Sequence, residues 1–159
     1  MKKYKVDVCG LLQSKLRPSK VEALQKFRLK HWKFLTNASA SSIARIVIFW
    51  NPSTVQVDFV DCSAQGVYVI ISCLVSQIRF HVSFIYGLHT IVARRELWGN
   101  LRMWSPLGPW MVLGDFNSIL SQDDKLNGCT ASMYEIFYFH TCCQDLGLFD
   151  LNYSGCHLV

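Results

Sequence analysis

Apolar residues in this chain come in short runs broken by polar or turn-forming groups, and in a few places they recur at helical spacing instead. Residues 6–12 read as a short buried strand that ends in the polar group Gln13-Ser14-Lys15, expected at its C-terminal rim. Pro18 and Ser19 then open a helix, with Ser19 and Glu22 at capping-box spacing, Val21, Leu24 and Phe27 marking one face, and basic residues opposite. From residue 43 to 86 the pattern changes to strands at 43–50, 55–60, 66–75 and 78–86. They are separated by Asn51-Pro52-Ser53, by Asp61-Cys62-Ser63 and by a tight turn near Ser76. This predicts an antiparallel meander. Its alternation is imperfect at Tyr68, Ile70 and Ser72, which fits strands covered on both sides.

Residues 91–104 carry Leu97, Leu101 and Trp104 at helical spacing, with Arg94, Arg95 and Arg102 on the remaining surface and Pro106 as a stop. Residues 110–113 form a further buried strand ending in Gly114-Asp115-Phe116-Asn117, and Ser132 with Glu135 caps a helix running toward Gly147. Strands and helices in this order predict a layered α/β sandwich. No internal repeat or low-complexity tract interrupts it, and a chain of 159 residues suits one domain with a real core.

Composition supports a folded protein, since 51% of residues are hydrophobic and 13% aromatic while only 17% are charged. The net charge of +5 is uneven: ten of the sixteen basic residues lie between Lys2 and Lys33, opposed there only by Asp7 and Glu22. The rest of the chain is net acidic, a polarity suited to holding a polyanion, nucleic acid above all, against one side of the molecule; an unoccupied solvated surface is the alternative. Seven Cys without repeated spacing, several inside apolar runs, suggest reduced thiols in an intracellular protein. With no Cys-x-x-Cys pair and scattered His, a structural zinc site has no support. Asp7 interrupts the apolar stretch that follows Lys2 and Lys3, which argues against a signal peptide. The longest apolar stretch, residues 66–75, is far short of the roughly twenty residues that span a bilayer, so no membrane association is expected.

The chemistry concentrates where strands end. Residues two apart on an extended chain point to one side, so Asp115 and Asn117 can face one pocket while Phe116 anchors the turn. A carboxylate there can hold or activate a water, and a neutral amide can orient a scissile phosphate without adding negative charge. The same pair would also serve as a turn with an Asx hydrogen bond. Tyr86 closes an apolar strand just before Gly87, where its phenol can donate to a phosphate oxygen or, more plainly, pack its ring in the core with its hydroxyl toward water.

Several segments, in order, carry a resemblance: residues 6–15, Arg45-Ile46-Val47-Ile48-Phe49-Trp50-Asn51-Pro52, Phe84-Ile85-Tyr86-Gly87, Arg94-Arg95-Glu96-Leu97-Trp98, residues 109–117 and Gly147-Leu148-Phe149-Asp150-Leu151. Together they resemble the endonuclease/exonuclease/phosphatase domain of plant LINE-type retrotransposons. The resemblance implies a DNase-I-like α/β sandwich of two mixed or antiparallel sheets packed face to face, with helices outside. It implies DNA as the partner, magnesium-assisted hydrolysis of phosphodiester bonds, and a nuclear location if functional. Tyr86, Asp115 and Asn117 match the family's catalytic positions, with the Asp positioning water and the Asn and Tyr contacting phosphate. No protein partner is implied.

The sequence departs from that family in one decisive place. Gln13-Ser14-Lys15 stands where the family carries Glu-Thr-Lys, so the principal magnesium ligand is replaced by an amide that brings no charge, and metal binding is expected to weaken. The family's first strand, with its Trp-Asn motif, would precede Met1, and its Ser-Asp-His region would follow Val159. The expectation is an incomplete copy, truncated at both ends, impaired in catalysis and prone to aggregate. A non-catalytic nucleic-acid binder and a relic without selected function are the alternatives, and a small-molecule phosphatase fits the pattern less closely.

Overall fold

The computed structural model describes residues 6–41, 43–120 and 133–151. The described residues up to Gly87, together with Pro106–Asp115, form one compact unit; Leu88–Ser105 with the described residues from Phe116 onward form a second. No helix among the described residues is long and apolar enough to cross a membrane.

The first unit holds β1 (Val8–Leu16), α1 (Pro18–Arg28), β2 (Lys33–Thr36), β3 (Ala44–Trp50), β4 (Val55–Ser63), β5 (Gly66–Cys73), β6 (Arg79–Tyr86) and β7 (Trp110–Asp115). They build two sheets, an antiparallel one of order β1-β3-β2 and a mixed one of order β4-β5-β6-β7 in which only β6 and β7 run parallel. The meander read from the sequence is therefore confined to β4–β6, and β3 belongs to the other sheet. The turn at Asn51 makes the difference: the Asn51 N–H donates to Asp7 O (2.9 Å) and the Thr54 hydroxyl to the Asp7 carboxylate (2.8 Å), so the chain leaves one sheet there and enters the other. The strand β2 gave no signal in sequence, because four residues with adjacent Phe34 and Leu35 show no alternation.

Alternation in β3 sends Ile46, Ile48 and Trp50 into a core shared with Val67, Val69, Ile71, Val82, Phe84 and Tyr86 of the other sheet. Gly10 of β1 lies in this interface, where a Cβ would stand 2.7 Å from Phe84 Cδ1. The opposite face of β3, through Val47 and Phe49, packs on Val21 and Leu24 of α1. Phe27, expected on that helix face, is 78% exposed. Six residues advance a helix by about 600°, which leaves Phe27 roughly 120° from Val21. Nor does the capping box form: Arg17 is the N-cap without a side-chain bond and Pro18 occupies the first turn, so Ser19 lies inside the helix.

Asn37 is wholly buried and ties the two sheets together. Its Nδ2 donates to Ser63 O and Ala64 O (both 3.1 Å), and its Oδ1 accepts from the backbone N–H of Arg45 (3.1 Å) and Ile46 (3.0 Å). All four hydrogen-bonding positions of the carboxamide are thus used.

The second unit contains α2 (Ile91–Trp104) and α3 (Met133–Leu146). Thr90 caps α2 by accepting from the Ala93 N–H at 3.3 Å. Leu97, Trp98, Leu101 and Trp104 are buried, and Trp98, Phe116 and Phe139 stack, with ring centroids 5.0 Å apart for Trp98–Phe139 and 4.7 Å for Phe116–Phe139. Arg102 pairs with Asp145 at 2.7 Å. Arg94, expected on the surface, is 3% exposed; its Nη1 donates to the carbonyls of Leu88 (2.8 Å) and His89 (2.9 Å) and so shapes the entry into α2. Gly147, at φ +62°, ends α3, and the Leu148 N–H returns to Cys143 O at 2.9 Å. Ser132 lies outside the described residues, as does the Glu135 side chain, and with them the capping expected there.

Candidate functional site

The first strand does not stop at Leu12. It continues to Leu16 through a bulge, since Leu12 pairs with Ile46 and Leu16 with Ala44. Gln13, Ser14 and Lys15 therefore stand opposite the single residue Arg45, and both Gln13 (φ 56°) and Lys15 (φ 48°) adopt left-handed backbone. Such angles are uncommon outside glycine. The polar group expected at a rim is thus a kink within the strand, fastened by the Ser14 hydroxyl to Ala44 O. The kink presents Gln13 to the end of β6, where its Nε2 donates to the Tyr86 hydroxyl at 3.0 Å.

Tyr86 is the last residue of β6 and only 1% exposed, its ring a member of the inter-sheet core. Parallel pairing places Asp115 beside it in register, and the Gly87 N–H donates to Asp115 O at 2.7 Å. Asp115 is exposed and closes β7. Gly114 makes this approach possible: its φ is +146°, and a Cβ there would fall 2.0 Å from Ile85 O. Gly-Asp at the end of β7 is thus dictated by how closely β6 and β7 run.

Asn117 has a left-handed φ of 47° and belongs to the second unit. The two-residue alternation that would set it on the same side as Asp115 holds only for extended chain, and the chain is not extended there. Phe116 does anchor the turn, through its stack with Trp98 and Phe139. Of the four expected site residues, then, Gln13, Tyr86 and Asp115 are gathered at one place in the first unit.

Sequence reasoning missed Arg45. Its guanidinium stands over the Tyr86 ring, 5.9 Å from the centroid, opposite the bulge that carries Gln13. A cation heading the most apolar strand of the chain was the available signal. Two consecutive β3 amides, those of Arg45 and Ile46, converge on Asn37 Oδ1, whereas neighbouring amides of a regular strand point to opposite edges. Along the chain next to the bulge, Lys15, Arg17 and Lys20 are exposed, as are Lys26, Arg28, Lys30 and Lys33 farther on.

The residues present do not fit magnesium. Gln13 can offer only a neutral carbonyl and has an N–H engaged with Tyr86, and the Arg45 guanidinium beside the same ring repels a cation. Among the described residues no three His, Cys, Asp or Glu side chains are placed to share a metal.

The chain is similar in structure to a humanized TDP2 of D. rerio (TM-score 0.52, 19% identity, covering 73% of this chain and 54% of that one). It is likewise similar to a functionally unknown conserved protein of Enterococcus faecalis V583 (0.55, 16%, 73% and 54%). D. rerio TDP2 complexed with a single-strand DNA product matches at 0.50 and 16%, covering 92% of this chain and 54% of that one. These likenesses show the fold, a DNase-I-like α/β sandwich. The chain spans about half the length of the solved structures it matches. No protein-family model matches the sequence, and neither does any curated protein.

Proposed function

We propose that this chain is a degenerate DNA endonuclease-like domain of LINE retrotransposon origin, which holds a phosphodiester where β1, β6 and β7 meet and cuts it weakly or not at all. The observation that carries the reading is the Gln13–Tyr86 hydrogen bond, which puts an amide, not a carboxylate, beside the phenol and close to Asp115. In this reading Asp115 positions an attacking water, Tyr86 contacts the phosphate, and the basic residues from Lys15 to Lys33 lie along the DNA. Magnesium would supply charge neutralisation if it bound, but the donor set disfavours it. The D. rerio protein whose structure contains a single-strand DNA product is consistent with nucleic acid as the partner. The domain would act in the nucleus.

Nicking of supercoiled plasmid in magnesium tests this, with wild type run beside Gln13→Glu and Asp115→Asn. Wild type is expected to nick at or near background, and Gln13→Glu to raise nicking by about tenfold or more, as restoring one charged ligand implies. Efficient wild-type nicking that Asp115→Asn abolishes would show a competent enzyme and end the degenerate reading.

A further inference from the structure

We infer that Arg45 and Gln13 form a phosphate-holding pair on the Tyr86 ring that works without a metal. The inference deepens the proposed function and rests on its reading of this site as one that faces a phosphodiester. Four observations lead to it. First, a kink that sets three residues against one, with two non-glycine residues at positive φ, is a costly local conformation, and its product is the placement of Gln13 against Tyr86. Second, a carboxamide nitrogen carries two N–H groups, and the bond to Tyr86 uses one, leaving a donor for a further acceptor. Third, Arg45 is half-buried over an aromatic ring, and among the described residues no ion pair involves it. Fourth, Arg45 lies opposite the bulge, and its guanidinium and the Gln13 amide both meet Tyr86, one over the ring and the other at the hydroxyl.

The chemistry that fits two donors gathered on one phenol, one of them a planar cation, is a tetrahedral oxyanion. A guanidinium binds phosphate through two parallel N–H groups, and stacking on a ring restricts it to the orientation that does so. Where the resemblance implies a carboxylate that attracts a metal, which in turn attracts phosphate, this chain supplies the positive charge directly. Lys15 and Arg17, exposed on the same strand end and its exit, extend the charge along a polymeric phosphate backbone.

Binding of a short fluorescein-labelled DNA duplex by the full chain, followed by anisotropy in EDTA and in magnesium, decides the matter. Wild type should bind at least as well in EDTA as in magnesium, whose ions compete for the phosphates. Arg45→Gln should bind about tenfold more weakly in EDTA, the loss expected for one charge-assisted contact, with Arg45→Lys in between. Melting temperatures measured alongside show that each variant is folded. Gln13→Glu combined with Arg45→Gly should make binding depend on magnesium. Wild-type binding that EDTA abolishes, or an Arg45→Gln variant that is folded and binds like wild type, overturns the inference. Inorganic phosphate separates the two readings. If no variant binds the duplex, but phosphate raises the melting temperature of wild type and not of Arg45→Gln, the DNA reading fails and the phosphate pair stands. If phosphate stabilises neither, both fail.

Discussion

Asn37→Ala removes the side chain that ties β3 to the β4–β5 hairpin, and its cost follows from the hydrogen bonds described above. The substitution abandons two backbone N–H groups, those of Arg45 and Ile46, and two carbonyls, those of Ser63 and Ala64. The carbonyls lie in a half-buried hairpin and can turn to water, so the amides carry most of the penalty. At about 1.5 kcal/mol for each unsatisfied buried group, the loss is about 3 kcal/mol. For a chain of this size that lowers the melting temperature by roughly 6–12 °C. Urea unfolding followed by Trp fluorescence measures the first figure and thermal circular dichroism the second. Asn37→Asp sharpens the test: it keeps an acceptor for both amides but turns a second oxygen toward two carbonyl oxygens, and should be no better than Ala at neutral pH. A loss below about 0.5 kcal/mol for Asn37→Ala, the range of ordinary surface changes, would refute the assignment of Asn37 as a tie between sheets.

Further outcomes follow from the same structure. Gly114→Ala should destabilise by about 3 kcal/mol through backbone strain, since the Ile85 backbone occupies the space its methyl needs; an unchanged urea midpoint would contradict this. Hydrogen bonds from the Ser76 side chain and backbone hold the Cys73 thiol below its usual range, whereas burial raises Cys142 and pushes Cys143 up to about 11. At pH 8 more of Cys73 is thiolate, so iodoacetamide followed by peptide mapping should label Cys73 before Cys142 and Cys143, and the reverse order would refute the assignment. Met111 and Leu113 are more than a third exposed on β7, which closes its sheet among the described residues. Leu113→Lys should therefore reduce concentration-dependent light scattering, and undiminished scattering would place the sticky surface elsewhere.

Most elements were legible because burial imposes a period. The helix at 91–104 and the strands at 43–50 and 78–86 were found nearly to the residue, since their apolar positions are dictated by one core. The chemistry was read less well for a physical reason: a bulge, a positive φ and a contact between strands far apart in sequence leave no periodic trace. Gln13, Tyr86 and Asp115 were singled out as polar ends of apolar runs, but nothing local says that Gln13 touches Tyr86 across 73 positions. Phe27 and Arg94 failed in opposite directions. The helix angle turns an apolar residue outward in one case, and two loop carbonyls draw a cation inward in the other. Asn37 gave no local signal, because the four groups it serves are set by the tertiary fold.

The bulge in β1 also gives the sheet slack. Pairing resumes at Leu16 after three residues that stand opposite Arg45 alone, so a substitution among Gln13, Ser14 and Lys15 changes what meets Tyr86 while Val8–Leu12 keep their partners on β3. In a regular strand, one added residue would turn every later side chain to the other face. Here frame and chemistry are separable: the side chain that meets Tyr86 can change while the core residues of β1 and β3 keep their places.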